Sequence, residues 1–136
     1  MRACAATLGV VLALSCQGER EQQRRAEAGR VVRAVQLLRD APNEGKRPPL
    51  SALEHLPPLD EDLGALQKAC VSAYSLQLVG LEGLSAIRRA TGSAGDPVPP
   101  GAALLLSRSE TALRTAAALA VRCADLEGEA RRRYKL

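Results

Sequence analysis

Prolines decide where this chain can be helical. All eight fall in two clusters: Pro42, Pro48, Pro49, Pro57 and Pro58, then Pro97, Pro99 and Pro100. A proline inside a helix removes a backbone donor and collides with the preceding turn, so these clusters mark loops, at about 41–59 and 92–100. Three stretches remain free to be helical, at about 19–39, 60–90 and 101–133. Few β-branched residues and no long apolar alternation argue for a sheet. The spacing predicts an all-α chain, an antiparallel bundle of about three helices, two of them long.

Each stretch carries an apolar stripe at helical spacing. In the first it is Ala28, Val31, Val32, Val35 and Leu38, with Arg24, Arg25, Glu27, Arg30 and Arg33 read as the opposite, polar face. In the second it is Leu63, Leu66, Cys70, Ala73, Gln77, Leu81, Leu84 and Ile87. Asp60 stands at the N-cap position and Gly92 at the C-terminal stop. The third carries Leu105, Ser109, Ala112, Ala116, Leu119, Cys123, Leu126 and Ala130. Between the first two stretches, Ser51-Ala52-Leu53-Glu54 resembles a capping box, predicting a single turn over Ser51 to Leu56 that Pro57 stops. The filling is Ala and Leu, 24 and 22 of 136 residues, with two Tyr, no Phe and no Trp.

The N-terminus reads as an export signal. After Met1-Arg2, the run Ala3 to Leu14 is apolar apart from Thr7 and Gly9. Twelve residues reach about 18 Å as a helix, short of a bilayer core of roughly 30 Å. No other stretch offers 18 uninterrupted apolar residues. Residues 1–15 are therefore expected to be a removed signal peptide, with 16–136 as the mature domain. The closing residues Leu12-Ala13-Leu14-Ser15-Cys16 resemble the lipobox of bacterial lipoproteins, in which the Cys bears the lipid. Ser15 and Leu14 fit that pattern, whereas Ala13 stands where Leu is usual. Ordinary cleavage after Ala13-Leu14-Ser15 is the competing reading, and a buried N-terminal helix the plain structural one.

Cysteine arithmetic favours lipidation at Cys16. With Cys4 discarded, Cys16, Cys70 and Cys123 remain, an odd number for an oxidising compartment. A lipid on Cys16 leaves one pair. Cys70 lies 22 residues before Gly92 and Cys123 lies 22 residues after Gly101, so a hairpin folded through that loop sets both at equal height. Facing stripe positions on adjacent helices can meet the reach of a disulfide. Two buried free thiols are the alternative. Antiparallel neighbours should then have numbers summing to about 193, which sets Gly80 against Leu113, Gln77 against Ala116, Ala73 against Ala120 and Ile87 against Leu106.

Candidates for chemistry are few. The net charge is +4, with 16 Arg and 3 Lys, and +3 once Arg2 is gone, which excludes a strongly basic nucleic-acid scaffold. No phosphate loop, nucleophile elbow or metal-ligand spacing occurs, so no catalytic, cofactor or metal residue is assigned. Cys-x-x-Cys-His is missing, and Met1 is the only Met. His55, the only His, lies beside Glu54 and near Ser51. The sharpest charge feature is the C-terminus, where Arg131, Arg132, Arg133 and Lys135 are expected either to be solvated or to meet an anionic partner.

The lipobox resemblance implies membrane attachment through lipid on Cys16. Gln17, in place of Asp after that Cys, implies the outer membrane, facing the periplasm or the cell surface. The favoured expectation is a non-enzymatic, structural or protein-binding component of the bacterial envelope, contacting an envelope protein or an anionic envelope polymer but no nucleic acid. The alternatives are a small-ligand carrier or hydrolytic enzyme with a site near 41–59, or an immunity or inhibitor protein for an exported toxin.

Overall fold

The computed structural model describes residues 7–57, 60–92 and 98–136, with side-chain surroundings from residue 18 onward. Four helices follow in order: α1 (Thr7–Asp40), α2 (Arg47–Glu54), α3 (Glu61–Thr91) and α4 (Ala102–Tyr134), with a 3-10 turn at Asn43–Gly45. No strand occurs among the described residues, and the class is all-α as expected.

The helix count needs correction. The expected turn at Ser51 belongs to the eight-residue α2, which starts four residues earlier. Pro48 and Pro49 occupy its first turn, where a helix has no use for their missing N–H. Ser51 is consequently not an N-cap; its hydroxyl lies 3.4 Å from His55 Nδ1. α1 is also longer than the expected 19–39, since its backbone is helical from Thr7. Cys4 lies outside the described residues, as do the side chains of residues 7–17, including Cys16.

Caps explain the ends of α3 and the start of α4. Asp60 Oδ1 accepts the Leu63 N–H at 2.9 Å, satisfying one of the free donors of the first turn. Gly92 closes α3 with a φ of 52°, and Gly101 precedes α4 with a φ of 85°, both in the half of conformational space that suits glycine.

α3 and α4 form the expected antiparallel hairpin. The Cys70–Cys123 disulfide joins them, with Cα atoms 4.9 Å apart. The expected register holds at Gly80, where an added Cβ would come within 2.5 Å of Leu113 Cγ and 3.0 Å of the Ser109 carbonyl oxygen. At Gly83 an added Cβ would collide with the Ser109 hydroxyl. Ala73 and Gln77 share a small cleft with Ala116 and Ala120. Close approach of two backbones, rather than a kink, accounts for these glycines.

The core gathers at one end of the hairpin. Ala28, Val31, Val32, Val35 and Leu38 of α1 pack with Leu53 of α2 against Leu63, Leu66, Ala69 and Cys70 of α3 and Cys123 and Ala130 of α4. The α1 stripe is thus the expected one, with one correction on its other face: Glu27 is buried. Glu27 stands four residues before Val31, so helical spacing carries it onto the stripe's edge. The contiguous core reaches no further along α3 than Tyr74 and uses α4 only from Cys123. Beyond that level α3 and α4 meet through Gly80, Ser109 and Ala116, while residues 43–47 still lie along α3 beside buried Leu78, with Arg47 paired to Glu82. At 1.5 Å per residue, α3 extends about 30 Å past the disulfide as an arm paired with α4, and residues 43–47 accompany it only as far as Ser85.

Candidate functional site: a basic cleft at the core end and an uncovered arm

Three long-range ties position the core end. Buried Glu127 of α4 takes hydrogen bonds from Arg131 Nε at 3.1 Å and Nη2 at 2.9 Å, and its other oxygen binds Arg39 of α1. The bond to Glu127 outweighs burial and holds the Arg39 guanidinium even further above its ordinary range. Arg25 of α1 donates to the Lys135 carbonyl at 2.8 Å, closing the end of α4. Arg25 therefore sits beside residue 135 and Arg39 beside residue 127, so α1 runs opposite to α4.

Tyr134 makes the third tie, donating its hydroxyl to Asp60 Oδ2 at 2.7 Å while Oδ1 serves the α3 N-cap. Burial alone would raise the Asp60 carboxyl. The Leu63 N–H, the Tyr134 hydroxyl, Arg133 and Arg24 together outweigh burial and hold it below the usual carboxylate range. Burial, then the bond to Asp60, lifts the Tyr134 phenol above its own.

The signs give a pH window. The depressed Asp60 contributes stability above the ordinary carboxylate pKa and loses it as pH falls through its folded value. The raised Tyr134 contributes below the ordinary phenol pKa and loses it as pH rises through its folded value. Tyr134→Phe should cost about 1 kcal/mol at neutral pH, with the gap closing below about pH 4 and above about pH 10. Urea midpoints of the two proteins across pH provide the check. A gap that stays constant from acid to alkali would show that the pair does not titrate as described.

The four C-terminal cations do not act as one group. Arg131 is turned inward to Glu127, and Arg133 pairs with Asp62 of α3. Arg132 and Lys135 make no ion pair among the described residues and are exposed. Arg133, Tyr134 and Lys135 line one wall of a cleft of about 570 Å³. The other wall is the exposed start of α1, with Arg20, Arg24 and Arg25. Glu21 is the single carboxylate among the lining residues, so five cations face one anion. Nothing near the C-terminus in sequence announces Arg20 and Arg24 as neighbours; only the docking of α1 brings them there.

The residues weighed for catalysis do not form a working set. Ser51, Glu54 and His55 are all exposed. His55 Nδ1 lies 2.7 Å from the Ser51 carbonyl oxygen, a geometry that suits the tautomer in which Nδ1 donates. In that tautomer Nδ1 does not accept from the Ser51 hydroxyl, 3.4 Å away, as a serine nucleophile would need.

Two side chains missed in the sequence hold the loop between α1 and α3. Lys46 is 5 % exposed, and its ammonium donates to the carbonyls of Leu38 at 3.0 Å, Arg39 at 3.1 Å and Ala41 at 2.6 Å. Gln67 Nε2 donates to the carbonyls of Leu53 and Leu56, both at 2.7 Å, ending α2 in the same manner. Lys46 left one legible signal, a lone cation a few residues beyond a helix end.

The arm is the second feature. Leu104 and Leu106 near its tip are 57 % and 41 % exposed; Val79 lies open on its side, and Val121 lies open at its base, beside the disulfide. By length and composition α3 could cross a membrane, with a window of mean hydropathy 1.3, of which 22 % is buried. Its disulfide-joined neighbour argues otherwise, because α4 carries Arg108, Glu110, Arg114 and Arg122 alongside the same stretch. Comparison with family models, curated proteins and solved structures finds no match to the chain.

Proposed function

We propose that this protein is an exported, lipid-anchored component of the bacterial envelope, held to the membrane through Cys16, that acts by binding another envelope protein rather than by catalysis. The segment 3–16 supports export and anchoring, with Gln17 favouring the outer membrane. The observation that carries the binding role is the arm: a helical hairpin continued beyond its core, with Leu104, Leu106, Val79 and Val121 left open. Layers of helix ordinarily bury such faces against a further element, and the charges of α4 make lipid a poor cover.

The test places a photo-crosslinking residue at Leu104 or Val121 in cells, with Arg33 on exposed α1 as the reference position. The binding reading expects one discrete product from the arm positions and none from Arg33. Equal or absent crosslinking at all three positions would sink it. Mass analysis of the same protein reads the anchor independently, and a mature chain beginning at Cys16 without added lipid would refute that part.

A further inference from the structure

We infer that the basic cleft is a second membrane contact, which seats the core end of the protein on the phosphates of anionic phospholipid around its own anchor. The inference rests on the lipid-anchor reading and adds to it the surface that faces the bilayer. Its basis is a juxtaposition that the sequence alone hides. Lys135, near the far end of the chain, is folded back beside Arg20 and Arg24, near the start of the mature domain.

Distance then makes the connection. The backbone of α1 is continuous through position 16, so Arg20 stands one helical turn, about 6 Å, from the lipid-bearing residue. Arg24 stands about 12 Å away. Both distances are comparable with the screening length in physiological salt, so cations held there feel the surface potential of anionic lipid. Most of the charge around the rim is not used up within the protein, although Arg24 also acts on Asp60. Arg20, Arg24 and Lys135 have no ion-pair partner among the described residues. Arg25 and Arg133 shape the cleft while bonded to the Lys135 carbonyl and to Asp62.

The arrangement has a mechanical result. A single flexible lipid tether leaves a domain free to tumble, whereas cations drawn from two helices and packed around one rim fix its orientation. With the cleft on the membrane, the hairpin tip at residue 101 stands at the opposite end of α4, about 50 Å away along that helix. The exposed leucines would thereby be presented to partners in the aqueous space.

The full chain, purified from membranes and reconstituted into vesicles, provides the test. Vesicles of phosphatidylglycerol with phosphatidylcholine are compared with phosphatidylcholine alone. Side chains are labelled with phenylglyoxal at arginine and an acetylating reagent at lysine, and positions are read by mass. Labelling at Arg20, Arg24 and Lys135 should slow about tenfold on the anionic vesicles and recover at about 0.5 M salt. Arg88, Arg89 and Arg108, exposed on the arm, should label alike on both vesicles.

Equal labelling of the cleft on both vesicles, or equal protection of the arm, would overturn the inference. Protection produced by inorganic phosphate on the neutral vesicles would also overturn it, reassigning the cleft to a soluble anion. The mass at Cys16 keeps the two readings separable. Acylation without cleft protection leaves the anchor standing and removes the docking surface; protection without acylation does the reverse.

Discussion

Replacing Cys70 and Cys123 with Ala is expected to cost the protein about 4 kcal/mol, the loop-closure contribution of a crosslink spanning 53 residues. For a domain of this size that loss lowers the unfolding midpoint by on the order of 15 °C. The position of the bridge makes the effect uneven. It joins the two long helices at the edge of the shared core, and beyond it only residues 43–47 lie against the hairpin as a third layer. A helical hairpin with so little third-layer cover relies on whatever holds its base together. Amide exchange should therefore quicken most over residues 75–91 and 102–120, and least in the α1 stripe at Val31 to Leu38. Thermal unfolding with and without reductant, followed by exchange mapping, decides the matter. A uniform rise in exchange would mean that the arm is not a separate unit of stability. A midpoint shift below a few degrees would mean that the bridge contributes little.

Lys46→Met is expected to cost about 2–3 kcal/mol, more than a surface lysine could. The substitution keeps the apolar stem but removes the one donor that serves the carbonyls of Leu38, Arg39 and Ala41. Those oxygens lie at the negative end of the α1 dipole, where an ammonium is well placed and a thioether is not. Lys46 also sits over the ring of Tyr74, 5.3 Å from its centre, which adds a cation–π contact that Met would lose. Lys46→Arg, which keeps the charge but not the compact three-donor head, should recover part of the loss. Urea unfolding of the three proteins would show whether this holds. A Met variant within 0.5 kcal/mol of the native chain, a roughly surface-like change, would mean that water replaces the ammonium at little cost.

The two expectations differ in how far they could be read in advance. The disulfide was legible because everything it needs is a matter of counting along one chain. Proline clusters end the helices, Gly92 and Gly101 bracket a short loop, and equal residue counts from that loop set the two Cys at one height. The same count placed Gly80 against Leu113, a meeting of no side chain with a large one. Lys46 was not legible in that way. It was one cation in a proline-rich connection, and its role depends on that connection folding tightly enough to return the side chain over the helix just left. Glu127 is similar: nothing around it on α4 marks it, and only Arg39 arriving from α1 makes it a buried junction.

The basic cleft shows both kinds of information in one place. Its C-terminal wall was visible as a run of cations, but the run was treated as a unit. Packing separates it, because successive residues on a helix point in different directions. Arg131 faces the core and meets Glu127, Arg133 swings toward Asp62, and Lys135 stays open. The opposite wall, Arg20 and Arg24, lies more than a hundred residues earlier, with nothing in the sequence to join it to the C-terminus.

The amino-acid sequence by itself determined the all-α class, most of the helix limits, the α1 stripe and the register of the hairpin. Each depends on interactions within a few residues or on the length of one short loop. The tertiary structure alone decided how α1 docks, which of the terminal cations remain unpaired, where Lys46 and Glu127 find partners, and how far the shared core extends. Those outcomes turn on which faces meet across a connection of nearly twenty residues. Such a connection is long enough to permit either direction of α1, and only the packing of specific side chains selects one.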